Sequence, residues 1–392
     1  MKKKQQRITI IYLANTRLPT EKAHGVQIIK MCEALADLGC QVKLIVPRRI
    51  QSNPKLRKVN IKDYYRVRNN FTIEKVFAID LLPLERWRRW VGNWAFLILE
   101  GSFTVTANVL AFFRSKDLVF SRSKAASSIS MLLGQPTVFE SHESAVGTLL
   151  NKHIAKHAKR VIAITKPIQR SWEALGAKTI YAPDGVSEEF FKHLPITKAR
   201  REVKLPHNAT IIGYVGNLHT MGKEKGIRTL LEALKLLCCS HPSIMLYIVG
   251  GPQNLVERYR EFSRKENIEK WITFTGHIPF NKITHYLQAM DILVMPFPKE
   301  PHFAYNASPL KLFEYMASQR PIVTSDLPSL REILDEETAI LVEPGDPRDL
   351  AKGIQTLIGN PKLSQKLAMN AMTKAKQYTW IKRAERILES IR

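Results

Sequence analysis

Short apolar runs alternate with longer stretches of helical spacing along almost the whole chain. The first run, Ile8-Thr9-Ile10-Ile11-Tyr12-Leu13, suits a strand buried on both faces. A polar loop over 15–24 leads to Gly25, and residues 26–38 repeat apolar positions at helical spacing up to Gly39, a helix-stopping glycine. With a second strand over 41–46, these pieces make a βαβ unit. Strands over 118–120, 137–140, 161–165 and 179–182 continue the alternation. The turn Pro183-Asp184-Gly185-Val186 and the polar segment 187–201 read as a domain boundary. The pattern then restarts, with strands over 211–216, 245–249, 272–274, 292–294, 321–324 and 339–342 separated by helices. The predicted class is α/β: two doubly wound, Rossmann-like domains with a cleft between the carboxyl ends of their strands.

Two stretches fit the alternation less well. Residues 48–75 are basic and broken in pattern. Residues 81–113 hold Trp87-Arg88-Arg89-Trp90 followed by apolar segments, which suits either two core helices or a contact at lipid headgroup depth.

The chain has 392 residues, too many for one ordinary core and enough for two. Its formal net charge is +25, and residues 1–190 carry +16 of it. That balance points to an anionic partner on the N-terminal side: a membrane surface, nucleic acid or a phosphorylated substrate. Cys32, Cys40, Cys238 and Cys239 show no metal-ligand spacing, which fits a reducing cytosol. Met1-Lys2-Lys3-Lys4 runs into polar residues with no signal-peptide core, and no stretch of about 20 uninterrupted apolar residues suggests a membrane span.

The richest local chemistry lies in Asn306-Ala307-Ser308-Pro309-Leu310-Lys311-Leu312-Phe313-Glu314. Ser308 is a preferred N-cap residue and Pro309 fits a first helical position. The N–H groups of Leu310 and Lys311 at a helix start make an anion site. Glu314, one turn further on an apolar helix, needs either a neighbouring arginine or the two hydroxyls of a sugar diol. His142 follows the strand over 137–140, where open α/β sheets bind ligands. Gly-x-Gly-x-x-Gly is absent, and Gly25 alone reads as a turn glycine or a point of close ligand approach.

Taken together, the loop ending in His24-Gly25, Phe139-Glu140-Ser141-His142, Pro183-Asp184-Gly185-Val186, Lys225-Gly226, the block from Ser308 to Ala317 with Arg320-Pro321-Ile322-Val323, and Val342-Glu343-Pro344-Gly345-Asp346 resemble the retaining family 4 glycosyltransferases of GT-B architecture. The resemblance implies an N-terminal acceptor-side domain over 1–190, a nucleotide-sugar-binding domain over 191–375, and a last helix over about 376–392 packed back on the first. It implies Gly25 at the donor diphosphate, His142 beside the transferred sugar, and Lys225 on the phosphates. Glu314 is then the ribose ligand, while Gly276, His277 and Ile278 clamp the base. Ser308, Pro309, Leu310 and Lys311 complete the donor site. Two positions depart from the family. Asn306 stands where its first motif glutamate is expected, and Asn217 stands where it often has arginine, with His219 or Lys223 as substitute cations.

The activity implied is metal-independent transfer from a nucleotide-diphosphate sugar, a co-substrate, with no cofactor. The acceptor would be a glycan or a lipid-linked sugar in cell-surface polysaccharide synthesis. The protein would then be cytoplasmic, in peripheral contact with anionic membrane. Nucleic acid is not an expected partner, because no recognition motif appears. The alternatives are a nucleotide-sugar epimerase or hydrolase of the same fold, and a non-catalytic subunit of that fold.

Overall fold

The structure is a computed structural model and describes residues 8–51, 53–82 and 94–391. The chain divides into two compact units: residues up to Asp184 together with Trp380–Arg392, and Gly185–Thr379. The crossing points therefore fall at 184/185, inside the turn read as a domain boundary, and at 379/380, a few residues from the bounds of about 190/191 and 375/376 that the resemblance implied.

The first unit is built on a parallel sheet of β1 (Thr9–Leu13), β2 (Gln41–Pro47), β3 (Thr72–Val76), β4 (Leu118–Ser121), β5 (Thr137–Ser141), β6 (Arg160–Ala163) and β7 (Thr179–Tyr181). Their order across the sheet is β3-β2-β1-β4-β5-β6-β7, so the winding reverses between β1 and β4. The connecting helices are α1 (Ala23–Asp37), α2 (Ile61–Tyr65), α3 (Trp94–Phe112), α4 (Lys124–Leu132), α5 (Leu149–His157) and α6 (Lys166–Glu173). Helix α3 lays Leu99, Phe103, Ala107 and Ala111, one residue per turn, on Ile11, Leu13 and Ile45 of the sheet. Side chains of Ser123, Thr148 and Thr165 cap α4, α5 and α6, each accepting from a backbone N–H in the first turn.

Strand β3 lies in the stretch whose broken pattern suggested no element. It is an edge strand that buries only Val76, so its sequence lacks an apolar face to read. Its Glu74 is instead held by both Nη atoms of Arg114, at 2.7 and 2.9 Å. The Trp87-Arg88-Arg89-Trp90 cluster lies outside the described residues.

The second unit has a parallel sheet of β8 (Thr210–Val215), β11 (Ile244–Val249), β12 (Ile272–Gly276), β13 (Ile292–Met295), β14 (Ile322–Ser325) and β15 (Ile340–Val342), with β9 (His219–Thr220) and β10 (Lys223–Glu224) forming a separate ribbon. The main order, β12-β11-β8-β13-β14-β15, reverses between β8 and β13. Its helices are α7 (Ile196–Val203), α8 (Ile227–Cys238), α9 (Gln253–Lys265), α10 (Ile283–Ala289), α11 (Leu310–Ala317), α12 (Pro328–Arg331), α13 (Pro347–Gly359) and α14 (Pro361–Ala375). After α14 the chain returns to the first unit as α15 (Trp380–Ile391), which buries Trp380, Arg383, Ala384, Ile387, Leu388 and Ile391.

Two local expectations change. Residues 217–225, read as a plain loop, contain the β9–β10 hairpin, whose Met221 and Gly222 both take positive φ, 52° and 76°. Helix α11 begins one residue later than expected: Pro309, at φ −76° and ψ 127°, is the N-cap, not the first helical residue, and Ser308 precedes it. Ala307 and Pro309 are both extended, so the chain turns helical only after the proline, whose fixed φ fits either conformation.

Candidate functional site

The loops that leave β8 and β13 meet at the switch point of the second sheet, where open α/β sheets bind ligands. After β8 come Gly216, Asn217, the hairpin and Lys225. After β13, a single π turn over His302–Asn306 leads to α11. Lys311, in the first turn of α11, is 7% exposed, and its Nζ has no hydrogen-bond partner among the described residues. The ammonium rests 3.7 Å from the Tyr214 ring centroid and 5.7 Å from that of Phe297. Gly216, at φ 137°, makes this possible, since a Cβ there would stand 2.8 Å from Lys311 Cε.

Burial, then the nearby Lys225 charge, push the Lys311 pKa well below its ordinary value, while Glu314 pulls it back. Lys225 is itself lowered to about 8 by burial. Glu314 lies one turn along α11 from Lys311, and burial raises it to about 7 against the pull of that lysine. Two desolvated cations without an ion pair among the described residues, beside a helix N-terminus, have the chemistry to accept an anion of more than one charge. His302 belongs to the same group. Burial and the charges of Lys225 and Lys223 lower its pKa, and Lys223 is tied by Glu300 just ahead of the π turn.

The first unit holds a different cluster. Glu140, on β5, is fully buried and accepts from Arg383 Nη2 at 2.9 Å. Its other oxygen faces His142 Nε2 at 2.6 Å and accepts from Gln27, whose own oxygen accepts from Arg122. Burial opposes the Glu140 charge, but Arg383, His142 and Arg122 together hold its pKa well below the usual range. Arg383 also donates to the carbonyls of Ala182 and Pro183, at 3.2 and 3.0 Å. An ionised Glu140 can only accept, so Nε2 of His142 carries the proton and Nδ1 is the free acceptor. Burial and Arg122 lower the His142 pKa to about 4, and burial brings His24 to about 4 as well. Asp184, at the crossing between units, is raised to about 6, mainly by burial.

The candidate residues fall into place unevenly. Lys225, Lys311 and Glu314 converge, with Ser308, Pro309 and Leu310 leading into the same helix. Asn306 ends the π turn, and the Asn217 carbonyl accepts from Tyr214 at 2.8 Å. Gly276, at φ 69°, closes β12 and bridges Gly250, followed by exposed His277 and half-buried Ile278. Gly25 is not at a loop tip. It lies in the first turn of α1, where a Cβ would meet the Tyr65 hydroxyl at 2.4 Å, so packing by itself already calls for glycine there.

Sequence reasoning passed over Gln27, Arg122, His302 and Arg383, and cited Glu140 and Asp184 only as parts of motifs. Glu140 and Arg383 did leave a signal: each is a charge in an apolar phase, one on a fully buried strand and one on the inward stripe of α15.

Comparison with known proteins places this architecture. Residues 209–360 match the family described as Glycosyl transferases group 1. D-inositol 3-phosphate glycosyltransferase of Corynebacterium kroppenstedtii is 29% identical over 198 residues, 48% of this chain and 42% of that protein. The Acidothermus cellulolyticus protein of the same name is 26% identical over 212 residues, 53% of this chain and 46% of its own. The chain thus spans less than half the length of these curated relatives. Among solved structures, sucrose-phosphate synthase from Thermosynechococcus elongatus superposes with a TM-score of 0.74 at 19% identity, covering 98% of both chains. Anabaena Alr3699/HepE in complex with UDP-glucose gives 0.72 at 18%, covering 98% of this chain and 99% of its own. The fold is therefore that of the GT-B glycosyltransferases. Within it, the stretch that matches the group 1 glycosyltransferase family, 209–360, lies wholly in the second unit.

Proposed function

We propose that the protein is a retaining glycosyltransferase that moves a sugar from a nucleotide-diphosphate donor to a glycan or lipid-linked acceptor in cell-surface polysaccharide synthesis. It works in the cytoplasm at the inner face of the membrane. One observation carries the reading: the buried, unpartnered Lys311 ammonium beside Lys225 at the switch point of the second sheet. A diphosphate supplies the charge these lysines lack, and the α11 N-terminus adds its free N–H groups. Glu314, one turn on, accepts the two ribose hydroxyls. The UDP-glucose bound by Alr3699/HepE supports a donor of this type.

In transfer, the bond from sugar C1 to the diphosphate oxygen breaks, the acceptor hydroxyl oxygen takes its place on C1, and the nucleoside diphosphate leaves with the proton that the hydroxyl gives up. The two lysines meet the charge that grows on the leaving group, which is why we read the reaction as metal-independent. His142, fixed as the Nε2–H tautomer, is assigned to turnover and not to donor affinity.

The test is thermal stabilisation by a panel of nucleosides and nucleoside diphosphates. Diphosphates should stabilise the wild type, and Lys225→Ala should lose this response while keeping the weaker response to the nucleoside. Equal loss of both would make Lys225 structural. Asn306, uncharged where a carboxylate is expected, together with Asn217 favours a second reading as a non-catalytic subunit of the same fold, beside the alternative of a nucleotide-sugar epimerase or hydrolase. Donor turnover measured with and without acceptor separates these.

A further inference from the structure

Of the large apolar side chains exposed among the described residues, nineteen lie in the first unit and four in the second. Single exposed apolar residues are ordinary, whereas a continuous band is not. Helix α3 presents such a band: Trp94, Ile98, Val105, Val109 and Phe112 recur at helical spacing on the side opposite the sheet, with Val105 61% exposed. Helices α4 and α5 pack beside it in turn, and they extend the band through Leu132 and Leu149, the latter 88% exposed.

Helix α3 is long and apolar enough to cross a membrane. It is nevertheless fixed to the unit, because Leu99, Phe103, Ala107 and Ala111 are fully buried against the sheet. Its one charge, Glu100, turns inward to accept from Asn15 and Ser123, so the outer stripe carries none. The flank of the band is cationic. No Asp or Glu occurs between residues 144 and 172, and Lys152, Lys156 and Lys159 are exposed on and just after α5.

We infer that the face formed by α3, α4 and α5 docks on an anionic lipid bilayer, with α3 lying along the headgroup plane and the α5 lysines over the phosphates. A helix with one face on a folded sheet and an uncharged outer stripe can enter the interface only sideways. Trp94 and Phe112, at its two ends, have the amphipathic or aromatic character that settles at headgroup depth. Net charge complements the surface, and each cation brought to an anionic leaflet strengthens attachment by about fivefold. The inference rests on the membrane-side part of the proposed function and is independent of the donor site.

The full-length protein is tested by co-sedimentation with vesicles of phosphatidylcholine and phosphatidylglycerol at low salt, and with phosphatidylcholine alone. Wild type should pellet with the anionic vesicles. The exposed-site variant Ile98→Glu/Val105→Glu/Val109→Glu should stay in solution while keeping its stabilisation by a nucleoside diphosphate. Lys152→Glu/Lys156→Glu should bind at least about 25-fold more weakly and with a flatter salt dependence.

Wild type left in the supernatant with anionic vesicles would overturn the inference, as would a triple variant that pellets like wild type. A concentration-dependent dimer that the triple variant abolishes, with no vesicle binding, would give the face to a second copy of the chain and also overturn it. Vesicle binding without any response to nucleoside diphosphates would sink the proposed function and leave this surface standing.

Discussion

The two units share one architecture but handle buried charge at the carboxyl ends of their sheets in opposite ways. In the first, each charged group at the carboxyl end of β5 has a partner: Arg383 on Glu140, Glu140 on His142, Gln27 between Glu140 and Arg122. In the second, Lys311 is buried with aromatic rings for company and another lysine nearby. A paired buried charge fixes geometry, and an unpaired one stores an unfavourable energy that a ligand can relieve. The first unit is therefore built to hold a histidine in one tautomer, and the second to wait for an anion.

This contrast can be broken most sharply at His142. His142→Ala should lower turnover by about 100- to 10,000-fold with little change in donor affinity, the range typical of a positioned proton-transfer group. A collapse of affinity with turnover intact at saturation would place the residue among the binding groups.

Next in size is Arg383→Met, which strands a buried carboxylate and should cost roughly 3–5 kcal/mol of stability, read as a fall in denaturation midpoint. The double variant Glu140→Gln/Arg383→Met should recover much of that loss. If the single variant is as stable as wild type, the pairing contributes nothing and the contrast fails on the first unit's side.

Lys311→Met should behave in the opposite sense. The unliganded protein should be as stable as wild type or more so, because a desolvated cation is gone, while nucleoside diphosphate affinity falls by roughly 2–5 kcal/mol. A destabilised apo protein would mean that Lys311 has a structural role. Glu314→Ala should weaken the same ligand by roughly 1.5–3 kcal/mol through loss of charge-assisted hydrogen bonds to ribose, measured by calorimetry.

The pH dependence follows with smaller amplitude. Glu314 is raised from 4.5 to about 7, so the folded state holds its proton more tightly between those values. Its contribution to stability is thus full below about pH 4.5 and lost as pH rises through about 7. The ionised form is the better ribose acceptor, so nucleoside affinity should climb through pH 7. Diphosphate affinity should climb likewise and then fall above about 8, where Lys225 loses its proton. Glu314→Gln should abolish the rise and spare the fall.

His142, lowered to about 4, should show no NMR titration between pH 5 and 8. Its contribution to stability has the reverse sign. The unfolded chain binds the proton first, so stability is lost as pH falls from 6.5 toward 4.

The residues alone determined a good deal of this protein. The alternation of short apolar runs with helical spacing was enough for two doubly wound α/β units, since strands buried on both faces must be apolar throughout. The motif from Ser308 to Glu314 marked a helix start, with the orphaned N–H groups that any helix start carries.

What needed the tertiary structure were the features with no local signature. Edge strand β3 buries one residue and so shows no pattern. The packing reason for Gly25 was invisible until Tyr65, forty residues away in sequence, was seen to fill its Cβ space. Arg383 is separated from Glu140 by the entire second unit, yet the return of α15 puts the two 2.9 Å apart. Lys311 stood out in the sequence for its backbone N–H and its place in the motif, and its ammonium drew no notice. Its meaning came only from the desolvation that Tyr214, Phe297 and the missing side chain of Gly216 impose on it. Periodicity encodes which face of an element is buried, and it decided the fold. Which charges meet, and whether water reaches them, depends on how distant segments close around each other, and only the folded chain decides that.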